Sequence, residues 1–320
     1  MSEIRALITG ITGQDGSYMA ERLLEEGYKV YGLQRRTSSP MLDNIKHIVD
    51  KIELVDGDLT DQGSLYRAIT SIRPQQVYNL GAQTFVAASF DQPVITADVT
   101  GLGPLRMLEA IRESGMNIRF VQASSSEQFG KVIETPQTEK TPFYPRSPYG
   151  VSKVFAYHIV KNYAESYNIF AANAIMFNHE SPRRPTCFVT RKITDGIAKI
   201  VAGKSKFIEL GNLDAKRDWS FAGDMMDGLF KIMHHKEPDT FVLSSGETHS
   251  IQEFLEIAFE VAGLGDYHSY IRVNPKFIRP AEVDVLQGDS TKARKTLGWK
   301  PKVAFRDLVT MMVKSDLEKK

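Results

Sequence analysis

The chain has 320 residues, of which 42% are hydrophobic and 25% charged, and a formal net charge of +1. This is the composition of an ordinary globular protein long enough to bury a substantial core, and its near-neutrality excludes a nucleic-acid binder held by a general basic field. One cysteine, Cys187, excludes an intrachain disulfide, and the longest apolar runs, such as 170–177, are too short to span a bilayer. With no leader pattern at the N-terminus, a cytoplasmic location is the expectation.

In chain order, Arg5–Thr9 reads as a buried strand, followed by a glycine loop and helical spacing over 17–26. Residues 29–33 and 52–55 predict the second and third strands, and 65–70 has helical spacing. Then come a strand at 76–80, a helix at 102–114, a strand at 118–123, a long helix at 149–166 and a strand at 171–177. Strands alternating with helices predict βαβ units with right-handed crossovers. The expected fold is therefore α/β, a doubly wound Rossmann-type parallel sheet with a smaller, mixed C-terminal substrate-binding lobe. After residue 178, prolines break the pattern, with helices predicted at 189–201, 224–234 and 251–262 and one more strand at 242–245. Residues 1–178 are expected to form the dinucleotide-binding domain, with segments such as 212–250 returning to it, and 179–320 mainly the lobe. The charged end, 316–320, is expected to fray. Met225, Met226, Met311 and Met312 read as core filler. His234 and His235 read as surface residues, because neighbours on a helix do not face one point, and no metal site is expected.

The loop Thr9-Gly10-Ile11-Thr12-Gly13-Gln14-Asp15-Gly16 places glycines at 10, 13 and 16 between a strand and a helix. Glycine there permits a tight turn and close approach of backbone to a pyrophosphate seated on the helix N-terminus. Thr12, Gln14 and Asp15 stand with the three glycines as candidate cofactor contacts. The second strand is followed by Gln34, Arg35 and Arg36 rather than by an acid that would hold a ribose hydroxyl. Two guanidiniums suit a 2′-phosphate and favour NADP over NAD; the alternative is a solvated basic turn. Asp58, beside Leu59 after the third strand, is placed either to accept from the adenine amino group or to cap a helix.

Tyr149 and Lys153, four apart in Ser147-Pro148-Tyr149-Gly150-Val151-Ser152-Lys153, share one helix face. A free tyrosine is a poor base near neutrality, with a pKa of about 10. An ammonium nearby and the positive nicotinamide would favour the phenolate, so Tyr149 can take the proton of an alcohol as hydride leaves its carbon, while Lys153 also holds the nicotinamide ribose. Ser124-Ser125-Ser126-Glu127-Gln128 ends the fifth strand, where ligands of doubly wound sheets bind. Ser125 is placed to hydrogen-bond the reacting oxygen. Glu127 can remove a proton made acidic by a new ketone and help a hydroxyl leave, the logic of a sugar 4,6-dehydratase. The alternative is that the serines cap the next turn and Glu127 is solvated.

The glycine loop, the S-S-E segment and Y-x-x-x-K together resemble the extended short-chain dehydrogenase/reductase family. The stretches Asn79-Leu80-Gly81-Ala82-Gln83, Thr141 through Ser147, Phe177-Asn178-His179-Glu180-Ser181-Pro182-Arg183-Arg184, Phe188 through Lys192, Asp214 through Trp219 and Arg279 through Asp284 resemble its GDP-mannose 4,6-dehydratase branch, over residues 5 to 312. The resemblance implies a tightly held NADP and a redox-neutral cycle. In that cycle hydride leaves C4 and returns at C6, Glu127 removes the C5 proton, and water is lost from C6. It implies that Leu80, Ala82, Gln83, His179 and Arg184 contact the cofactor. Thr84, Asn178, Val189, Lys192, Arg217 and Arg279 would hold the GDP-sugar together with Ser125 and Glu127. It also implies a homodimer or homotetramer, whose 35–39 loop can meet a neighbouring subunit's cofactor.

Three features depart from the family pattern: Ser125 in place of threonine, Gln128 in place of an apolar residue, and Arg184-Pro185-Thr186-Cys187 in place of a glycine-containing turn. Serine keeps the hydroxyl but loses the methyl that limits its rotamers. If Gln128 and Thr186 adjust the sugar pocket, the substrate could be a GDP-heptose. A 4-keto sugar-nucleotide reductase or epimerase is the other reading within the family. A cofactor-bound protein without catalysis is disfavoured by the presence of Ser125, Glu127, Tyr149 and Lys153 together.

Overall fold

A computed structural model describes residues 3–277, 283 and 285–319. The chain begins with β1 (Arg5–Thr9), α1 (Gln14–Glu25), β2 (Lys29–Gln34), β3 (Glu53–Asp56), α2 (Gln62–Ile72) and β4 (Gln76–Asn79). Two short helices follow, α3 (Val86–Asp91) and α4 (Pro93–Thr96), then a π-helical turn over Ala97–Leu102 and α5 (Gly103–Ser114). Next come β5 (Arg119–Ser125), α6 (Pro148–Tyr167), β6 (Ala171–Met176), β7 (Asn178–Glu180), α7 (Val189–Val201) and β8 (Ile208–Leu210). β9 (Lys216–Arg217), β10 (Trp219–Phe221), α8 (Ala222–Met233) and β11 (Thr240–Leu243) precede β12 (His249–Ser250) and α9 (Ile251–Ala262). The described chain closes with β13 (Ile271–Val273), β14 (Val285–Leu286), α10 (Thr291–Leu297) and α11 (Phe305–Glu318).

Seven strands form one parallel sheet in the order β11-β6-β5-β4-β1-β2-β3. The chain runs outward from β1 to β3, crosses to β4 and runs outward again. The strand order therefore reverses between β1 and β4, and a crevice lies beyond their carboxyl ends. The strands are apolar on both faces because helices cover both. Ala6 and Ile8 point to one side and pack with Met19 and Leu23 of α1 and Met225, Met226 and Leu229 of α8. Leu7 points to the other and packs with Leu65 and Ile69 of α2, Met107 and Ile111 of α5 and Val160 of α6. This is the two-residue alternation of a strand read out on two helical layers.

A separate apolar cluster joins Ile193 and Ile197 of α7, Phe254 and Leu255 of α9, Leu308 and Met312 of α11, and Trp219 of β10. The charged end does not fray from residue 316: α11 runs to Glu318. Asp316 is buried and accepts from the Arg191 guanidinium at 2.7 and 2.5 Å and from the Thr194 hydroxyl at 2.7 Å. An acid in a charged run reads as solvated until its partner on another helix is known. Met225, Met226 and Met312 are fully buried, whereas His234 is exposed with its ring 2.8 Å from the Tyr28 hydroxyl. Among the described residues no helix is long and apolar enough to cross a membrane.

Candidate active site

The glycine loop is shaped by contacts that leave no room for side chains. Gly10 is left-handed, with φ +70°, and a Cβ there would lie 2.9 Å from the Gly81 nitrogen; one on Gly16 would lie 2.2 Å from the Gly10 carbonyl oxygen. Backbone therefore meets backbone across the switch point, sealed by the Thr9 hydroxyl. That hydroxyl accepts from the Leu80 and Gly81 amides at 3.0 and 2.9 Å and donates to Asn79 at 2.7 Å. Gly13 caps α1 with no side chain, so the first-turn N–H groups and the positive helix end face the crevice, as a pyrophosphate requires. The cradle fits a dinucleotide. On its far wall Gln83, whose amide donates to the Thr100 hydroxyl at 3.0 Å, keeps a buried Oε1 with no hydrogen-bond partner; Ala82 is half-buried and Thr84 exposed.

The side chains of Gln14, Asp15 and His179 face one another. Gln14 donates to Asp15 at 3.0 Å and to the His179 carbonyl at 3.2 Å, and accepts from the Ser181 hydroxyl at 2.8 Å. Both His179 ring nitrogens meet acceptors, Phe177 O at 2.7 Å and Asp15 Oδ2 at 3.0 Å, which favours the imidazolium. Burial opposes both charges, but each outweighs it for the other: Asp15 is held down to about 2 and His179 is raised. These three residues thus brace β7 against the first turn of α1. Arg35 and Arg36 are exposed directly after β2, and Thr12 accepts from Asn44 at 3.1 Å through its carbonyl. Asp58 is not the helix cap: Asp61 caps α2 through the Gly63 amide at 2.9 Å, while Asp58 Oδ1 accepts from the Thr60 amide and hydroxyl at 2.9 and 2.8 Å. Leu59 is buried beneath Gly81.

The four residues expected to carry chemistry come together where β5 ends and α6 begins. Ser147 caps α6 by accepting from the Gly150 amide at 3.0 Å, and Pro148 opens the helix. A Cβ on Gly150 would stand 2.7 Å from the Glu127 carbonyl oxygen, so the turn after β5 lies directly on the helix. Tyr149, Glu127 and Lys153 are all buried. The Ser125 hydroxyl accepts from the Glu127 amide at 3.2 Å, as a cap does, and it also stands near enough to the Tyr149 phenol to lower its pKa. Capping and a place at the site are therefore not alternatives for this residue.

The relation between Tyr149 and Lys153 differs from the expected one. Lys153 Nζ donates to the Ala123 carbonyl at 2.6 Å and stands 5.8 Å from the centre of the Tyr149 ring. Burial lowers the ammonium's pKa to about 8, against the pull of Asp15. Burial raises the phenol to about 12; the Ser125 hydroxyl lowers it and the Glu127 charge raises it further. The two residues do stand one helical turn apart, but the lysine's hydrogen bond goes to β5, and it is Ser125, with the Arg184 charge, that favours the phenolate.

Around this centre, Arg184 lies 3.2 Å from the buried Glu180 carboxylate and covers the Phe188 ring at 3.7 Å. Phe188 meets Phe85 edge to face. Asn178 has a buried Oδ1 with no hydrogen-bond partner. Val189 opens α7, and Lys192 Nζ sits 3.3 Å over the Phe277 ring with its pKa lowered by burial. Arg217 is buried on β9 and donates to the Lys216 carbonyl at 2.8 Å. Arg279 lies outside the described residues. Gln128, expected in the sugar pocket, is fully buried with both ends of its amide bonded to backbone, whereas Thr186 and Cys187 are exposed.

One residue of this region escapes a reading of the sequence for chemistry, and another has a role there that differs from the expected one. Asp218 is fully buried and accepts from the Ser245, Gly246 and Gly288 amides at 2.8, 2.9 and 3.2 Å, tying three loops beside Arg217. Burial raises its pKa against those bonds. Gln128 forms a capping box with Ser125, and the Ser-x-x-Gln spacing is its signal.

Relatives of the chain are known. It is 49% identical over 341 residues to the GDP-mannose 4,6 dehydratase of Homo sapiens, covering 98% of this chain and 91% of that protein. It is 45% identical to the GDP-mannose 4,6-dehydratase of Vibrio cholerae, covering 98% and 94%. Among solved structures it superposes on the UDP-glucose 4-epimerase of Thermus thermophilus in complex with NAD with a TM-score of 0.85 at 27% identity, over 98% of this chain and 99% of that one. The family model described as GDP-mannose 4,6 dehydratase matches residues 7–312, so with its glycine cradle and its Ser125, Glu127, Tyr149 and Lys153 the chain belongs to the GDP-mannose 4,6-dehydratase family.

Proposed function

We propose that the chain converts GDP-mannose to GDP-4-keto-6-deoxymannose with NADP as a resident cofactor. The observation that carries this reading is the buried Glu127, whose backbone carbonyl lies against Gly150 of the helix that presents Tyr149 and whose charge is felt by the Tyr149 phenol. Oxidation of an alcohol needs only the phenol; elimination needs a second acid–base group on the same substrate. Bound in the cradle, the nicotinamide supplies an acceptor for the C4 hydride, which is returned at C6.

Tyr149 takes the 4-hydroxyl proton, with Ser125 hydrogen-bonded to the reacting oxygen. The new 4-keto group acidifies C5, and Glu127 removes that proton. Glu127 then passes it to the C6 hydroxyl, which leaves as water. The proton held by Tyr149 replaces the one lost at C5. The phenol and the carboxylate both end as they began, and one water is the only by-product. Lys192, Arg217 and Arg279 supply positive charge for the GDP diphosphate. Purified protein given GDP-mannose without added NADPH is expected to form a product one water lighter by mass spectrometry. No product would reject the reading, and a stoichiometric need for NADPH would indicate a reductase.

The choice of NADP rests on Arg35 and Arg36, exposed at the end of β2. Charge-assisted hydrogen bonds to a phosphate are worth about 1.5–3 kcal/mol, or roughly tenfold to a hundredfold in affinity. Arg35→Ala with Arg36→Ala is expected to weaken NADP binding by that factor and leave NAD affinity nearly unchanged, as measured by calorimetry. Equal loss for both dinucleotides would reject the 2′-phosphate role.

A homodimer is supported by one exposed apolar face. Val94 and Ile95 of α4, Leu102 of the π-helical turn, and Val151 and Phe155 of α6 are all exposed on elements that pack together. A patch of this kind marks an interface more often than free surface. Val151→Glu with Phe155→Glu is expected to halve the mass seen by light scattering; an unchanged mass would place the interface elsewhere. The exposed thiol of Cys187, the chain's one cysteine, suits the reducing cytoplasm.

A further inference from the structure

Gln128 is fully buried and uses both ends of its side-chain amide. Its Oε1 accepts from the Ser125 amide at 3.0 Å, and its Nε2 donates to the Lys153 carbonyl at 3.1 Å. The first bond closes the turn that carries Ser125 and Glu127. The second reaches into the helix that carries Tyr149 and Lys153. Lys153 Nζ returns to β5 through the Ala123 carbonyl, two residues before Ser125. Strand, turn, glutamine and helix thus form a closed hydrogen-bonded circuit, pressed together where Gly150 meets the Glu127 carbonyl. An apolar side chain of the same length would fill the space and open the circuit at two points.

We propose that Gln128 is a positioning residue that holds the Ser125–Glu127 turn in register with the Tyr149–Lys153 helix, and so sets the spacing between the base for C5 and the phenol that serves C4. The inference rests on the dehydratase reading for its catalytic consequence, while the circuit itself is independent of it. Displacing a reacting group by about 1 Å costs on the order of a hundredfold in rate. Ser125 is also the group whose hydroxyl lowers the Tyr149 pKa, so loosening the turn touches proton transfer at C4 as well as at C5.

The test uses Gln128→Met and Gln128→Glu in the full-length protein. Q128M is expected to melt within a few degrees of the wild type and keep its KM, to lose roughly tenfold to a hundredfold in kcat, and to shift the rise of kcat with pH to higher pH. Q128E keeps the acceptor for the Ser125 amide and, when protonated, the donor to Lys153. Its kcat relative to wild type is expected to be highest at low pH and to fall as the carboxyl ionises. Wild-type kcat and pH profile in Q128M would overturn the proposal, as would a defect confined to KM. Should Q128M fail to fold, a pH-independent kcat ratio in Q128E would overturn it. Should the wild type not turn over GDP-mannose, the dehydratase reading fails instead. Amide exchange then decides the circuit: faster exchange at the Ser125 amide in Q128M, which removes its acceptor, than in the wild type supports it, and unchanged exchange overturns it.

Discussion

Glu127→Gln is expected to abolish dehydration while leaving cofactor binding and oxidation at C4 in place. Glutamine matches glutamate in shape, so the packing of the turn on Gly150 and the hydrogen bond from the Glu127 amide to Ser125 both persist. What is lost is the only function the carboxylate has in the proposed cycle, that of taking the C5 proton and delivering it to the departing hydroxyl. A positioned acid–base group contributes about 10²–10⁴-fold, and here one residue serves two consecutive steps, which places the loss at the upper end of that range. In deuterated water the wild type should yield product carrying deuterium at C5, whereas the variant should yield neither product nor exchange at C5. Full activity in E127Q would remove the carboxylate from the mechanism.

Tyr149→Phe is expected to cost about 10²–10⁴ in kcat with no loss of fold, because the buried ring stays and only the hydroxyl is removed. The pH dependence separates this from a packing defect. Burial holds the phenol at about 12, so near neutrality it is protonated, and its base form grows about tenfold for each pH unit. The wild-type rate of C4 oxidation should therefore rise with pH until the bound complex reaches its own pKa, and the rise should vanish in Y149F. Stability carries the same signature with a definite sign. A phenol whose folded pKa lies above its unfolded value of about 10 stabilises the fold below pH 10. That stabilisation is lost as the pH rises toward 12. Y149F should accordingly lose less melting temperature than the wild type between pH 10 and 12; an identical alkaline decline would show that Tyr149 is not buried as described.

Much of this site is legible in the sequence, because its parts are local. The glycine loop depends on spacing within one turn, and Gly10 and Gly16 occupy positions where a Cβ would strike backbone. Tyr149 and Lys153 share a face because a helix repeats every 3.6 residues, and Pro148 marks where that helix starts. What the residues alone do not disclose is where side chains find partners far away in the chain. The spacing directs Lys153 to its neighbour Tyr149, but its ammonium reaches Ala123, thirty residues earlier. Gln128 reads as a pocket residue because only its departure from the family pattern is visible in the sequence; its partner on the next helix is not. Asp316 reads as part of a solvated tail, yet Arg191 and Thr194 reach it from α7. Asp58 and Asp61 lie three apart and either suits a cap, so only geometry assigns the cap of α2 to Asp61. In each case the residue type is informative about chemistry and silent about the long-range partner.

The central claim is that oxidation at C4 and reduction at C6 are one cycle joined by the elimination that Glu127 carries out. The most direct test is to give the enzyme GDP-mannose carrying deuterium at C4, in ordinary water and without added NADPH, and to locate the label by NMR. The account predicts a 4-keto-6-deoxy product with the C4 deuterium in its C6 methyl group and a solvent-derived proton at C5. Product whose C6 carries no deuterium, or a label retained at C4, would contradict it.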